Sequence, residues 1–349
     1  MQQKKNLAVF FGGKSSEYEV SLQSAHAVIT AIDPLAFNLI LIGIDRHTGA
    51  WLWYQGDTKR ILTDSWQSKA DCTPVVPSMD QTVHGLCCLT GCGCKNIPLD
   101  AALPILHGKN GEDGTMQGVL DLMGVPVIGC GLLSSALCMD KVLAHHIASA
   151  NGIKTARCYT LTEGFSQDDA RCAAESLGYP LFVKPVRAGS SFGISKIADE
   201  SQLLPAISHA FTYDSTVILE EMIDGFEVGC AILGTKNLWI GEVDEIELTD
   251  GFFDYTEKYT LKSSQIHAKA RISAQTADAV KHTAKQLYRI FDCSGFARID
   301  MFLTPEGEIY FNEINTIPGF TSHSRFPGML MAAGLTFEEI IRRLLTPEE

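Results

Sequence analysis

Arg298, Asp300, Glu313 and Asn315 place a guanidinium, two carboxylates and an amide within one short stretch, residues 295–315, which reads GFARIDMFLTPEGEIYFNEIN. The stretch has the pattern of a β-hairpin: residues 296–303 favour a strand, Thr304-Pro305-Glu306-Gly307 has turn chemistry, and 308–315 returns. A four-residue turn sets Leu303 opposite Glu308, Asp300 opposite Phe311 and Arg298 opposite Glu313. Alternation then gathers the four polar groups on one face, with Phe302, Ile309 and Phe311 nearer the turn. The other face takes Ala297, Ile299, Met301, Leu303, Tyr310 and Ile314, with Glu308 and Asn312 as exceptions. Hard oxygen donors of this kind suit Mg²⁺, which commonly accompanies nucleotide phosphates. A solvated hairpin face with one ion pair is the plainer alternative.

A second group reads Lys184-Pro-Val-Arg-Ala-Gly-Ser190-Ser191-Phe-Gly193. An apolar strand delivers a lysine to a glycine-serine loop, whose N–H groups and hydroxyls can wrap phosphate oxygens. A simple hairpin is the alternative. Gly13-Lys14-Ser15 resembles the end of a phosphate-binding loop, but position 8 is alanine where that motif needs glycine. The turn retains Ser15, Glu17 and Glu19 as candidate ligand groups. Glu220 and Glu221 end one strand and Glu227 opens the next, where acids can take an adenine amino group and ribose hydroxyls; exposed strand ends account for them equally well. Lys141, Lys258, His107 and the run Thr321-Ser-His-Ser324-Arg325 are weaker candidates taken singly.

The elements that must hold these groups follow from periodicity. Strands are expected at 7–11, 37–44, 101–106 and 125–128, with helices at 20–32 and 116–122. Their alternation predicts a parallel α/β layer in the first third. A helix over 134–151 carries Lys141. Strand-like material begins near 152, a helix covers 166–177, and strands follow at 181–186, 217–221, 227–232 and 238–248. Residues 249–262 have no period and read as a loop. A helix at 274–291, the hairpin and a helix at 336–345 complete the chain. These elements divide into domains 1–130, 131–221 and 222–349.

The 349 residues, 46% hydrophobic and 20% charged, describe an ordinary globular protein. No apolar run approaches the ~18 residues of a membrane span. The first residues lead directly into a strand without a signal-peptide core, so a cytoplasmic location is expected. A net charge of −13 argues against a general nucleic-acid or membrane surface, yet permits a local basic pocket. Of eleven cysteines, Cys130, Cys138, Cys230 and Cys293 sit in apolar contexts and read as buried thiols. Cys87, Cys88, Cys92 and Cys94 lack the paired spacing of a zinc site, and a hairpin turning at Thr90-Gly91 accounts for them.

Together the pieces resemble the ATP-grasp superfamily and, within it, the D-alanine–D-alanine ligase family, over nearly the whole chain. The marks are Phe11-Gly-Gly-Lys-Ser-Ser-Glu-Tyr-Glu-Val-Ser21, His107-Gly-Lys-Asn-Gly-Glu-Asp-Gly114, Met139-Asp-Lys141, Lys184-Pro with Gly189-Ser-Ser, Arg298-Ile-Asp300 and Asn312-Glu-Ile-Asn-Thr-Ile-Pro-Gly319. The resemblance implies mixed α/β and α+β architecture: an ATP-grasp fold behind an N-terminal parallel α/β domain. It implies that ATP phosphorylates the carboxylate of D-alanine and that the amine of a second D-amino acid attacks the acyl phosphate. Asp300, Glu313 and Asn315 would hold two Mg²⁺ ions, with Mn²⁺ an alternative. Lys141, Lys184, Lys258, Ser190 and Ser191 would meet phosphates, and Glu220, Glu221 and Glu227 the adenosine. Glu19 would anchor the first ammonium, with His107 beside that substrate. Arg298 and the Gly319 N–H would stabilise the oxyanion. Ser190 and Tyr259 would help close a loop that excludes water, and Ser324 would meet the second carboxylate. A homodimer is the family's usual assembly.

Acceptor choice rests on two features. Lys258-Tyr259 matches ligases with amino-acid acceptors and disfavours D-lactate. Arg325 stands where housekeeping ligases usually have leucine, and its donors suit a hydroxyl. With the loop Phe252-Phe-Asp-Tyr255, it resembles the D-alanine–D-serine ligases of vancomycin resistance. D-serine is therefore the expected acceptor and D-alanine the alternative. A non-catalytic nucleotide-binding protein is the rival class.

Overall fold

The computed structural model describes residues 4–90, 93–248 and 264–346. The expectations on Lys258, Tyr259 and the 252–255 stretch lie outside the described residues. Near the N-terminus, β1 (Lys5–Gly12) pairs in parallel with β2 (Phe37–Ile44), and α1 (Tyr18–Ala31) is the crossover. Leu7 to Phe11 are buried on both faces, as a central parallel strand requires. The chain continues through β3 (Trp51–Tyr54), α2 (Lys59–Leu62), β4 (Cys72–Pro77), β5 (Gly85–Thr90) and β6 (Gly93–Pro98), then returns as β7 (Ala101–Pro104) on the other edge of β1. The described sheet has the order β6-β5-β4-β3-β2-β1-β7. Only β1, β2 and β7 are parallel. From β2 to β6 the sheet is an antiparallel meander, which needs no helical crossovers, so the expected parallel layer is one part of a mixed sheet. The strand expected at 125–128 reduces to a single bridge, Ala102 to Val127, beside Pro126, which has no N–H to extend a ladder. Cys88 and Cys94 lie on paired β5 and β6, as the hairpin reading requires; Cys92 is outside the described residues.

After α3 (Thr115–Leu122), the helix expected over 134–151 is two helices, α4 (Leu132–Met139) and α5 (Lys141–Ala150). Asp140 separates them. Its backbone is extended, and its carboxylate accepts from the N–H groups of Val142 and Leu143 at 3.1 and 3.0 Å. Lys141 is thus the first residue of α5. Next come β8 (Lys154–Thr155), β9 (Cys158–Thr162), α6 (Gln167–Leu177), β10 (Leu181–Pro185), β11 (Ser195–Ile197), α7 (Leu203–Ala210) and β12 (Thr216–Glu221). An antiparallel sheet of order β11-β10-β12-β9 packs Leu181, Val183, Val217 and Leu219 against small residues of α6 and α7.

The third sheet comprises β13 (Phe226–Leu233), β14 (Trp239–Leu248), β15 (Ser264–His267), β16 (Phe296–Leu303) and β17 (Ile309–Asn315), with β8 added at the edge. Its inner face packs on α8 (Ala274–Ile290) and α5 through Ile299, Met301, Phe311 and Tyr288. The hairpin forms, but its register differs from the expected one. Leu303 faces Ile309, Met301 faces Phe311, and the ladder then shifts so that Asp300 faces Glu313 and Arg298 faces Asn315. Asn312 is the extra residue of a β-bulge. Strict alternation therefore misplaced Ile309 and Phe311, which join the core, and Tyr310, which does not. The helices α9 (Arg325–Ala332) and α10 (Phe337–Leu345) close the chain, with Phe320, Phe326 and Met329 in the core that reaches β1 and α1.

Candidate active site

A cavity of about 480 Å³ lies between the second and third sheets. Its apolar walls include Phe182, Ile194, Met222, Phe226 and Phe302, which suit the faces of a flat aromatic ring. Lys141, Lys184, Ser191, Glu220, Glu221, Glu227 and Glu313 share its lining. Residues far apart in sequence thus converge because β10 and β12 form its roof while β13, β14, β16 and β17 form its floor. Lys184 and Glu220, both buried, make an ion pair across β10 and β12. Burial works to raise the Glu220 carboxyl, but the Lys184 ammonium beside it holds it below the usual carboxylate range. Lys141 Nζ donates to the Ala188 carbonyl at 2.9 Å and lies 3.8 Å from Glu313, so it ties α5 to both the loop and the floor. In that loop Ser190 and Ser191 both take left-handed backbone, φ 47° and 59°. The pair forms the centre of a tight turn, closed by the Phe192 N–H donating to the Gly189 carbonyl at 3.1 Å.

Four residues continue the floor. Asp244, Gly229, Asp300 and Glu313 stand side by side on β14, β13, β16 and β17. Arg298 grips Asp300 with Nε at 2.9 and 3.0 Å and Nη2 at 2.7 Å, and Asn315 Nδ2 donates to it at 2.9 Å. Burial lowers the Arg298 guanidinium, but Asp300 outweighs it and holds it above its ordinary value. Asp300, Glu313 and Asn315 thus bring two carboxylates and an amide together on adjacent strands, groups whose oxygens suit a divalent cation in type. Gly319 and Ser324 meet in the loop beyond β17, where Ser324 Oγ accepts from Thr321 N–H at 3.1 Å and closes the turn before α9.

Three candidates have surroundings other than those expected. Glu19 is 53% exposed, pairs with Arg46 at 2.8 Å and is not part of the cavity lining. The inward acid of that turn is Glu17. It is buried, accepts from the Ser190 hydroxyl, and lies so close to Gly108 and Gly189 that a Cβ on either would fall 2.4 or 2.6 Å from its Oε2. Residues 17 and 19 differ because α1 begins at Tyr18, which leaves Glu17 in the turn and Glu19 on the helix's outer face. His107 is buried with Nδ1 2.7 Å from the Ile317 carbonyl and Nε2 3.0 Å from Ser24 Oγ, so both ring nitrogens are engaged within the protein. Burial lowers its pKa to about 4, and the neutral ring ties the 317 loop to α1. Arg325 turns all three of its nitrogens to carboxylates. Its Nε and Nη2 hold Asp244 at 2.7 and 2.9 Å, its Nη1 holds Glu227 at 2.6 Å, and Nη2 lies 3.4 Å from Asp300. Burial would lower the guanidinium, but these carboxylates, Asp244 foremost, raise it well above its ordinary value. Gly229 makes room: a Cβ there would sit 2.5 Å from Nη2.

Sequence reasoning passed over Asp244, Asn312 and the role of Glu112. Glu112 accepts from Gly108 N–H at 2.7 Å and Ile317 N–H at 3.2 Å, beside Glu17 and Glu313. Burial, then Glu17, pushes its carboxyl up to about 8. Its only signal in the sequence was its place in the His107–Gly114 motif.

A two-sheet clamp around such a cavity is the architecture of an ATP-grasp enzyme. The model of the D-ala D-ala ligase N-terminus matches residues 6–130, and that of the D-ala D-ala ligase C-terminus matches 147–346. The Vancomycin C-type resistance protein VanC1 of Enterococcus gallinarum is 43% identical, over 99% of this chain and 98% of its own. A D-alanine–D-alanine ligase of Caldicellulosiruptor bescii is 38% identical, over 98% and 94%. The crystal structure of VanG D-Ala:D-Ser ligase from Enterococcus faecalis superposes with TM-score 0.91 at 51% identity, over 98% of this chain and 99% of that one. The chain belongs to the D-alanine–D-alanine ligase family and is an ATP-dependent ligase. No helix among the described residues is long and apolar enough to cross a membrane.

Proposed function

We propose that this enzyme joins D-alanine to D-serine through an acyl phosphate, for wall precursors of the vancomycin-resistance type. The observation that carries the acceptor is the likeness to the VanG D-Ala:D-Ser ligase over nearly the full length of both chains. In this reading ATP lies in the cavity, with adenine between the apolar walls and the ribose near Glu227. Lys141, Lys184 and the Ser190–Ser191 loop hold the phosphates, and Glu220 keeps Lys184 aimed. Asp300, Glu313 and Asn315 hold Mg²⁺, which neutralises phosphate charge when bound. Glu17, rather than Glu19, anchors the ammonium of the first D-alanine and, through Ser190, couples that substrate to the phosphate loop. Arg298 lies beside the reacting carboxylate, where the Gly319 N–H joins it in stabilising the oxyanion. Ser324 binds the acceptor carboxylate. Arg325 acts on acceptor choice indirectly, by fixing Asp244 under the site. The proposed domains are 1–130, 131–221 and 222–349, assembled as a homodimer in the cytoplasm.

The test is competition. Enzyme, ATP, Mg²⁺, D-alanine and D-serine at equal acceptor concentrations near neutral pH should give D-alanyl-D-serine as the main dipeptide by mass spectrometry. Predominant D-alanyl-D-alanine would replace the serine reading with the housekeeping one.

A further inference from the structure

Lys141 opens α5 and His145 follows one turn later, so both side chains leave the same face of the helix. His145 is buried, 3% exposed, and its Nε2 lies 3.0 Å from the Asn312 carbonyl oxygen. A carbonyl oxygen only accepts, so Nε2 carries the proton. Nδ1 is buried without a hydrogen-bond partner among the described residues, which assigns it the lone pair. Burial lowers the ring's pKa, against the pull of Glu220, in keeping with a neutral imidazole. The ring also meets Phe311 edge-on, with centroids 5.7 Å apart.

Asn312 is the bulge residue of β17. The bulge lets Phe311 and Ile314 both enter the core while Glu313 and Asn315 face the site. Without it, a period of two would send Glu313 into the core behind Phe311. A bulge leaves one residue outside the ladder, and here the imidazole supplies the bond to its carbonyl.

We propose that His145 is a positioning residue for the metal site: its Nε2–H bond to the Asn312 carbonyl holds the bulge that turns Glu313 and Asn315 toward the cavity. Partners behind a ligand commonly govern metal affinity in this way. The inference rests on the reading that Glu313 and Asn315 hold Mg²⁺, and the experiment separates the two.

Mn²⁺ binding to the enzyme–ADP complex is followed by the electron paramagnetic resonance of free Mn²⁺, alongside kcat and the KM for Mg²⁺. His145→Phe keeps the contact with Phe311 and removes the donor, while His145→Gln restores an N–H of similar reach. Circular dichroism checks folding, and His145→Leu replaces the phenylalanine variant if that one fails to fold. His145→Phe should weaken Mn²⁺ binding about tenfold and raise the KM for Mg²⁺ in step, with kcat recovering at saturating Mg²⁺ and His145→Gln restoring most of the affinity. Wild-type Mn²⁺ binding in His145→Phe, or equal weakening in both variants, would overturn the role of His145. Glu313→Gln is the control: it should lose Mn²⁺ binding, and if it does not, the metal assignment fails and takes this inference with it.

Discussion

Two buried charge clusters meet the third sheet, one through Glu313 and the other through Asp244, Asp300 and Glu227, and they differ in what meets them. Around the cavity, Lys141, Lys184, Glu220 and Glu313 line an open volume. Behind it, Arg325, Asp244, Asp300 and Glu227 close on one another. A charge facing a cavity can be completed by a ligand; a charge enclosed by opposite charges is completed by the fold, and removing one partner strands the rest in a poor solvent for ions. Glu227 belongs to both, since it lines the cavity and accepts from Arg325. Burial alone does not distinguish support from binding. The distinction lies in whether a group also faces an open volume.

The largest effect expected from this contrast is on stability. Arg325→Leu leaves Asp244 and Asp300 without their shared guanidinium and should cost about 3–5 kcal/mol in urea unfolding. A midpoint like the wild type's would show that the cluster is not closed, and would return Arg325 to a direct role at the acceptor. Next in size is the contrast within a single turn. Glu17→Gln should raise the KM of the first D-alanine by about 10- to 100-fold, as expected for a lost bond to a charged group, whereas Glu19→Gln should leave it unchanged. Steady-state kinetics at fixed acceptor would reverse the assignment if Glu19→Gln were the damaging change. The smallest effect belongs to the open cluster. Lys141→Met should raise the KM for ATP about tenfold while unfolding at nearly the wild-type urea concentration. A stability loss comparable to that of Arg325→Leu would erase the difference between the clusters.

Much of the site was legible because its residues sit next to strong local signals. Lys184 ends an apolar strand before a glycine-serine loop, Glu220 and Glu227 bracket a strand break, and Asp300 and Glu313 punctuate a hairpin. The core strands and the long helices could be read for the same reason, since periodicity is a local property. What escaped depended on one residue's geometry. The break at Asp140, the bulge at Asn312 and the start of α1 after Glu17 each change which face a neighbour presents, and none alters the average pattern around it. Glu17 and Glu19 are chemically alike and two apart, so no compositional argument separates them.

The sequence by itself determined the order of the elements, the inventory of acids, lysines and glycines, and the resemblance of both to ATP-dependent D-amino-acid ligases. These follow from local preference and from motifs contiguous along the chain. Only the tertiary structure decided which acid turns inward, that Arg325 is held by Asp244 and Glu227, and that Asp300 stands opposite Glu313. Those outcomes depend on strand register and on contacts across some 80 to 170 positions, such as Arg325 to Asp244 and Ser190 to Glu17. Pairing at that range is set by how whole sheets pack, and a one-residue bulge is enough to exchange a core residue for a ligand.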